Sequence, residues 1–309
     1  MAIKKVRVQI DGTWVELTFN AVSGKYEGTI AAPNITSYNV NAGHYDPVTV
    51  EAEDLASNIT TVNDSDPALG DDLRLFVKEI TKPTITYTAP ASDAHLASNT
   101  PQIKFQLRDE VNGSGIKIST LQLKIDGGSA ITNTSPGMAV TAVSGGYDVT
   151  YTPQTALDDG SHTVTVDIED NDGNKANQAT RSFVVDTVPP ELNVTVPAEP
   201  TSYHNTTSLT VIGTTNDAHS SPVTVTVKLN TGAAELVTVD GSGNFSKSLT
   251  LIEGTNTVTV TSTDKASKTS TVIRTVIVDT ASPVVMSISI VPNPVDVGQN
   301  YLVSVEVND

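Results

Sequence analysis

The chain has 309 residues, with 35 acidic against 18 basic side chains, a formal net charge of −17 and no cysteine. So acidic a surface repels phosphate backbones and anionic lipid headgroups, which argues against nucleic-acid partners and membrane-surface roles. The lack of cysteine excludes a disulfide scaffold and a thiol nucleophile, and no apolar run is long enough for membrane insertion.

Short alternating segments such as 162–168 (HTVTVDI), 223–229 (VTVTVKL) and 256–262 (NTVTVTS) are punctuated by Gly, Pro and Asn. Alternation of period two places Val on a buried face and Thr or Lys on a wet one, so the pattern predicts an all-β chain of antiparallel β-sandwiches. In chain order, 6–12 (VRVQIDG) matches 121–127 (LQLKIDG), and 21–26 (AVSGKY) matches 142–147 (AVSGGY). These segments lie mid-unit in the second unit but close to Met1 in the first. The first unit, 1–81, is therefore expected to be a partial domain lacking its first two strands. Complete units are expected over 82–187 and 188–280. The last segment, 281–309, is expected to be a two-strand half-domain, because 300–309 (NYLVSVEVND) reads like 208–217 (SLTVIGTTND).

The clearest repeat is V-T-V-x-x-x-D: Val48-Thr49-Val50 with Asp54, Val164-Thr165-Val166 with Asp170, and Val258-Thr259-Val260 with Asp264. Proline-bearing linkers follow, VDTVPPE at 185–191 and VDTASPV at 278–284; proline ends a strand by removing a ladder donor and stiffens the joint. On these features the chain resembles bacterial immunoglobulin-like domains, which implies tandem immunoglobulin-like antiparallel β-sandwiches. Its layout, closing on PNPVDVGQNYLVSVEV, resembles immunoglobulin-like proteins encoded near tail genes in prophages of Gram-positive bacteria. That resemblance implies a non-enzymatic structural or adhesive array on a phage tail or virion surface, with cell-wall glycans, other virion proteins or its own copies as partners. The alternative is a carbohydrate-binding or adhesin module of the bacterial surface. Read from Met1, the N-terminus carries no secretory signal. The expected location is thus a virion or extracellular surface, reached by lysis or assembly.

Two constellations stand out. The turn Asp170-Asn171-Asp172-Gly173-Asn174 alternates side-chain oxygens around a glycine, a spacing that hard cations favour, and calcium is the candidate cofactor. The same residues also suit an ordinary hairpin turn bonded to its own backbone. The resemblance adds Asp186 of the linker to Asp170, Asp172 and Asn174 as a further ligand. The second constellation is apolar: Val6, Val8 and Ile10 at one end, and Leu302, Val303, Val305 and Val307 at the other. Two isolated strands cannot bury such a face alone, and a partial sandwich exposes an open edge. Either the last segment of one copy completes the first unit of another, or the first unit is a sandwich complete in itself with the last segment docked on the third unit or disordered, or another protein completes the last segment. The five histidines stand outside any catalytic motif, with no GxSxG, HExxH or P-loop present, so no enzymatic activity is expected. Trp14, the one tryptophan, is assigned either to a core or to a groove.

Overall fold

A computed structural model describes residues 2–309. The chain forms two compact units, one running up to Ala94 together with Ser98–Val184, the other His95–Ala97 with Val185–Asp309.

The first unit opens with β1 (Ile3–Ile10), β2 (Thr13–Asn20), β3 (Lys25–Glu27), β4 (Asp46–Pro47), β5 (Thr49–Asp54), β6 (Ile59–Val62) and β7 (Arg74–Leu75). Five of these form one sheet in the order β3-β2-β1-β5-β6, and β4 pairs with β7. The β1–β2 hairpin closes on Asp11-Gly12, both at positive φ (47° and 72°), the two-residue turn whose twist matches the strands it joins. Asp126-Gly127 repeats it at 52° and 70°, so the IDG match of the sequence is a match of backbone. Alternation then sorts the faces. Val6, Val8 and Ile10 lie opposite Leu17, Val15 and Thr13, whereas Arg7 and Gln9 pair with Glu16 and Trp14 on the reverse side. Trp14 is thus off the apolar face, with the Arg7 guanidinium 4.3 Å from its ring centroid.

The second domain contributes β8 (Thr84–Ala89), β9 (Ala94–Leu96, at the boundary of the two units), β10 (Ile103–Arg108), β11 (Gln122–Ile125), β12 (Met138–Val143), β13 (Gly146–Tyr151), β14 (Gly160–Asp167) and β15 (Ala179–Val185). The sheet β12-β13-β10-β8 faces a layer containing β11-β14-β15. Ile103, Phe105, Leu107, Leu123, Val166 and Phe183 are all buried. Each side chain removed from water in this way stabilises the domain by roughly 1.5–3 kcal/mol.

The second unit holds a third domain, made of β16 (Glu191–Val196), β17 (Thr201–His204), β18 (Ser208–Asn216), β19 (Thr224–Leu229), β20 (Glu235–Val237), β21 (Asn244–Thr250), β22 (Gly254–Thr263) and β23 (Thr269–Val278), followed by β24 (Val284–Val291) and β25 (Leu302–Asn308). The sheet β16-β18-β21 packs on β17-β23-β22-β19-β20, with β17 running parallel to β23. Between them lies a core built from Val194, Leu209, Val211, Val225, Phe245, Val260 and their neighbours. Strand β18 shows the sequence logic most plainly, alternating exposed and buried along all nine residues. These are tandem all-β sandwiches of immunoglobulin type.

Strands β24 and β25 form a separate antiparallel hairpin with no third strand beside it. The first domain is equally one-sided. Five strands were expected to make a partial sandwich, but they lie in a single sheet. The hairpin β2–β3, which shares the AVSGxY turn with β12–β13, stays hydrogen-bonded to β1. In the second domain β13 instead finds a ladder partner in β10. Among the described residues of the first domain nothing equivalent to β8 and β10 stands beside β3, and the short pair β4–β7 is its other sheet.

Candidate functional site

Two groups of three carboxylates each bring ligand oxygens within 4.8 Å of one another. In the second unit these are Asp186, Asp217 and Asp264, contributed by the linker, the loop after β18 and the β22–β23 turn. Local backbone explains each position. Asp217 Oδ1 accepts from the amides of His219 and Ser220 at 2.8 and 2.6 Å, Asp264 Oδ1 accepts from Lys268 N at 2.8 Å, and Asp186 Oδ1 accepts from Val188 N at 3.2 Å. The remaining oxygens matter more: Asp186 Oδ2 and Asp264 Oδ2 are buried without a hydrogen-bond partner, in side chains belonging to residues only 1 % and 6 % exposed. Burial, reinforced by the charges of Asp186 and Asp217, pushes the Asp264 carboxyl above its ordinary pKa. Buried unpartnered carboxylate oxygens are costly unless a cation meets them, and three hard oxygen donors are the chemistry that calcium takes.

The first unit repeats the arrangement with Glu79, Asp109 and Asp170. Glu79 Oε1 accepts from Ser114 N at 2.6 Å and Asp109 Oδ2 from Gly115 N at 2.7 Å, leaving Glu79 Oε2 and Asp109 Oδ1 buried and unpartnered. Burial, together with the neighbouring Glu110 carboxylate, which favours the protonated form, raises Glu79 to about 7. The two clusters are position-for-position copies. FVKE (76–79) and FVVD (183–186) supply the linker acid, Asp109 and Asp217 follow β10 and β18, and Asp170 and Asp264 come from the VTVxxxD motif.

The four residues singled out from sequence do not form one set. Asp170 joins Glu79 and Asp109, while Asp186 joins Asp217 and Asp264. Asp172 and Asn174 serve structure in the first unit: Asp172 Oδ2 accepts from Thr36 Oγ1 and Glu79 N, and Asn174 donates to the Glu79 carbonyl and to Asp170 Oδ2. Sequence reasoning missed Glu79, Asp109, Asp217 and the ligand role of Asp264. Alignment of the two linkers, and of the residue immediately after β10 and β18, is the signal that finds them.

Of the apolar candidates, Val6, Val8 and Ile10 share one face of β1, where Val8, at 7 % exposure, is the one buried hydrophobic side chain among the described residues before Ile103. A cavity of about 300 Å³ opens there between Val8, Ile10, Val15, Ile30 and Pro33. In β25, Val303, Val305 and Val307 lie opposite Ile290, Ile288 and Val285, making one apolar face in which every residue is between 43 % and 64 % exposed. Leu302, opposite Val291, falls on the other face, with Ser287, Ser289, Ser304 and Glu306.

His162 is the one histidine with a carboxylate hydrogen-bonded to its ring, Nδ1 lying 2.7 Å from Asp126 Oδ2, among the described residues. Its Nε2 is engaged by the carbonyl of Asp158 at 2.8 Å, so the ring joins a strand to its preceding turn and presents no free nitrogen to a nucleophile. No helix among the described residues is long and apolar enough to cross a membrane.

Residues 80–187 match the family described as bacterial Ig-like domain, and residues 190–280 match the family described as glucodextranase, domain B. Immunoglobulin-like domain families are generally non-catalytic. No curated protein matches the chain. Solved structures similar to it include fibronectin(III)-like modules of CbhA from Clostridium thermocellum, at 14% identity and TM-score 0.37, covering 63% of this chain and 94% of that one. Sidekick-1 immunoglobulin domains 1–4 give 10% identity and TM-score 0.36, with 90% and 68% covered. Protocadherin gammaB7 EC3–6 gives 15% and 0.33, with 94% and 69% covered. Two successive segments of the chain thus match families of domains, residues 80–187 the bacterial Ig-like domain and residues 190–280 glucodextranase domain B.

Proposed function

We propose that this chain is a non-enzymatic component of a tailed-phage virion, decorating its tail or surface, and that copies join head-to-tail by strand complementation. The observation that carries the joining is a pair of apolar faces: Val303, Val305 and Val307 on β25, each about half exposed, and Val6, Val8 and Ile10 on β1, buried or half-buried, of which Val8 and Ile10 line the cavity of about 300 Å³. The hairpin β24–β25 has the form of β8–β10 and β16–β18, each an antiparallel pair whose first strand is followed by proline (Pro90, Pro197, Pro292). Ile103, Phe105 and Leu107 of β10 are core residues of the second domain, and Val303, Val305 and Val307 hold the same places two residues before an aspartate. A second copy laying β25 along the free edge of β3 extends the sheet β3-β2-β1-β5-β6 by a strand, a strand addition in a heterologous contact. The phage setting rests on the resemblance of the overall layout to prophage-encoded immunoglobulin-like proteins.

The ladder of β10 on β13 pairs Ile103 with Tyr151 and Lys104 with Thr150. Carried over through the shared AVSGxY turn, Val303 lies opposite Ile30 and Ser304 opposite Thr29 of the next copy. The carboxylate clusters are read as calcium sites: Glu79, Asp109 and Asp170 in the first unit, Asp186, Asp217 and Asp264 in the second. Bound calcium neutralises the carboxylates and ties linker to loops. The test is molar mass by light scattering against concentration, for the full chain and for a version ending at Thr280. Growth that is lost on truncation, together with an intermolecular disulfide in the T29C/S304C variant, supports the reading. A monomer at all concentrations with no disulfide overturns it.

The match of residues 190–280 to glucodextranase domain B favours a second reading, a carbohydrate-binding or adhesin module at the bacterial surface. A shift of the melting temperature with cell-wall glycan, in protein that stays monomeric, is the result that selects it.

A further inference from the structure

We propose that Asp11 and Asp46 share a proton, as a carboxyl pair that stabilises the first domain in acid and loosens it towards neutral pH. The pair lies within a single copy and owes nothing to the joining of copies.

Each of the three domains repeats one corner, and strand register identifies its members. Val8 lies opposite Val50, Leu123 opposite Val166 and Val227 opposite Val260. Counted from these pairs, Asp11, Asp126 and Asn230 are equivalent, each three residues further on and each at a positive φ between 47° and 52°. Asp46, His162 and Asn256 are equivalent too, two residues before the VTV motif, and all three are buried. In the second domain His162 Nδ1 meets Asp126 Oδ2 at 2.7 Å. In the third, Asn230 Nδ2 donates to Asn256 Oδ1 at 3.3 Å. Each of these pairs contains a donor. Backbone satisfies the other oxygen of the turn residue: Asp126 Oδ1 accepts from Thr163 N at 2.8 Å, and Asn230 Oδ1 from Thr257 N at 2.7 Å.

The first domain lacks both donors. Two ionised carboxylates have no hydrogen to offer one another, and where Thr163 and Thr257 stand it has Pro47, which carries no N–H. Asp46 is 5 % exposed, and its Oδ2 is buried without a hydrogen-bond partner. Burial, reinforced by the charge of Asp11, raises the Asp46 carboxyl above its ordinary 3.8. The other charged and titratable groups around this corner are engaged elsewhere. On β7, Arg74, opposite Pro47, pairs with Asp71 at 2.6 Å and lies over the Tyr45 ring. Tyr45 donates to Asp64 at 2.8 Å, and His44 stacks on Tyr38. A proton held on Asp46 supplies the hydrogen bond to Asp11 that the other two domains build from His162 and Asn230, and it removes the buried charge. Because the folded pKa is raised, the stability tied to that proton is complete below 3.8 and is lost as pH rises through the folded value.

Trp14, the one tryptophan, lies on β2, so its fluorescence reports unfolding of the first domain within the full chain. Urea unfolding followed at Trp14 compares wild type with Asp46→Asn from neutral pH down to 3.8, and comparison at each pH cancels the carboxylates that the two proteins share. The variant copies the third domain's pair. At neutral pH its unfolding equilibrium constant should be lower by about tenfold for each unit by which the Asp46 pKa is raised. That advantage should vanish as pH reaches 3.8. A carbon-13 NMR titration of Asp46 in wild type should give a midpoint above 3.8 that falls in Asp11→Asn, where the turn residue offers a donor. No advantage of Asp46→Asn at neutral pH, or one that is the same at every pH, overturns the shared proton. A midpoint that Asp11→Asn leaves in place overturns it too, since burial alone would then hold the proton. Should Asp46→Asn fail to fold, the titration decides alone, and a wild-type midpoint at or below 3.8 overturns the pair.

Discussion

Asp264 is held by its turn through one oxygen while the other faces Asp186 and Asp217 without a partner. Asp264→Asn keeps the shape and removes the buried charge. In cation-free protein it should raise the stability of the third domain by about 1–3 kcal/mol, the cost of an unsatisfied buried group, while abolishing the stabilisation that calcium gives the wild type in that domain. Differential scanning calorimetry with and without calcium reads both changes. Loss of stability in cation-free Asp264→Asn would count against the charge being uncompensated. His162 supplies a second case. Burial lowers its affinity for a proton, but hydrogen bonds to Asp126 and the Asp158 carbonyl outweigh burial and raise its pKa above 6.5. A raised pKa in the folded state means that the extra stability is present below 6.5 and is lost as pH rises through the folded value. An NMR titration of His162 should give a midpoint above 6.5 that falls in Asp126→Asn, where burial acts without the carboxylate.

At the scale of elements, one residue marks where the first domain departs from its neighbours. Gly146 and Gly243 let β10 and β18 come close, since a Cβ at either would collide with the carbonyl oxygen of Leu107 or Thr215. The corresponding residue of AVSGKY is Lys25. Lys25→Gly should therefore tighten copy-to-copy binding severalfold, measured as a lower dissociation constant, whereas Val305→Asp should abolish association without moving the melting of the second and third domains. The contrast also explains what could be read beforehand. Strand positions were legible because Val-Thr alternation writes burial directly into the chain, as β18 shows. The single five-stranded sheet of the first domain was not, because the place of β2–β3 depends on whether a strand like β10 is there to pair with it. The carboxylate sites were half legible. Asp170 and Asp186 announce themselves by motif and linker, whereas Asp109 and Asp217 are brought in by chain reversals that no local spacing encodes.

Over the whole molecule, a net charge of −17 sets copies against one another at long range. Any association driven by the apolar faces must overcome that repulsion, which salt screens over roughly 10 Å at 0.1 M. Raising sodium chloride from low to physiological concentration should therefore strengthen self-association. Weakening with salt would instead mean that ion pairs across the contact dominate. The parallel pairing of β17 with β23, Thr201 opposite Thr275 through His204 opposite Val278, has a mechanical consequence. Tension applied to the two ends of the third domain slides these strands past each other, so all four pairs must yield together. The β24–β25 hairpin, whose ends meet at Val284 and Asn308, opens instead one pair at a time. Under pull, the sandwich is thus the clasp and the hairpin the zip.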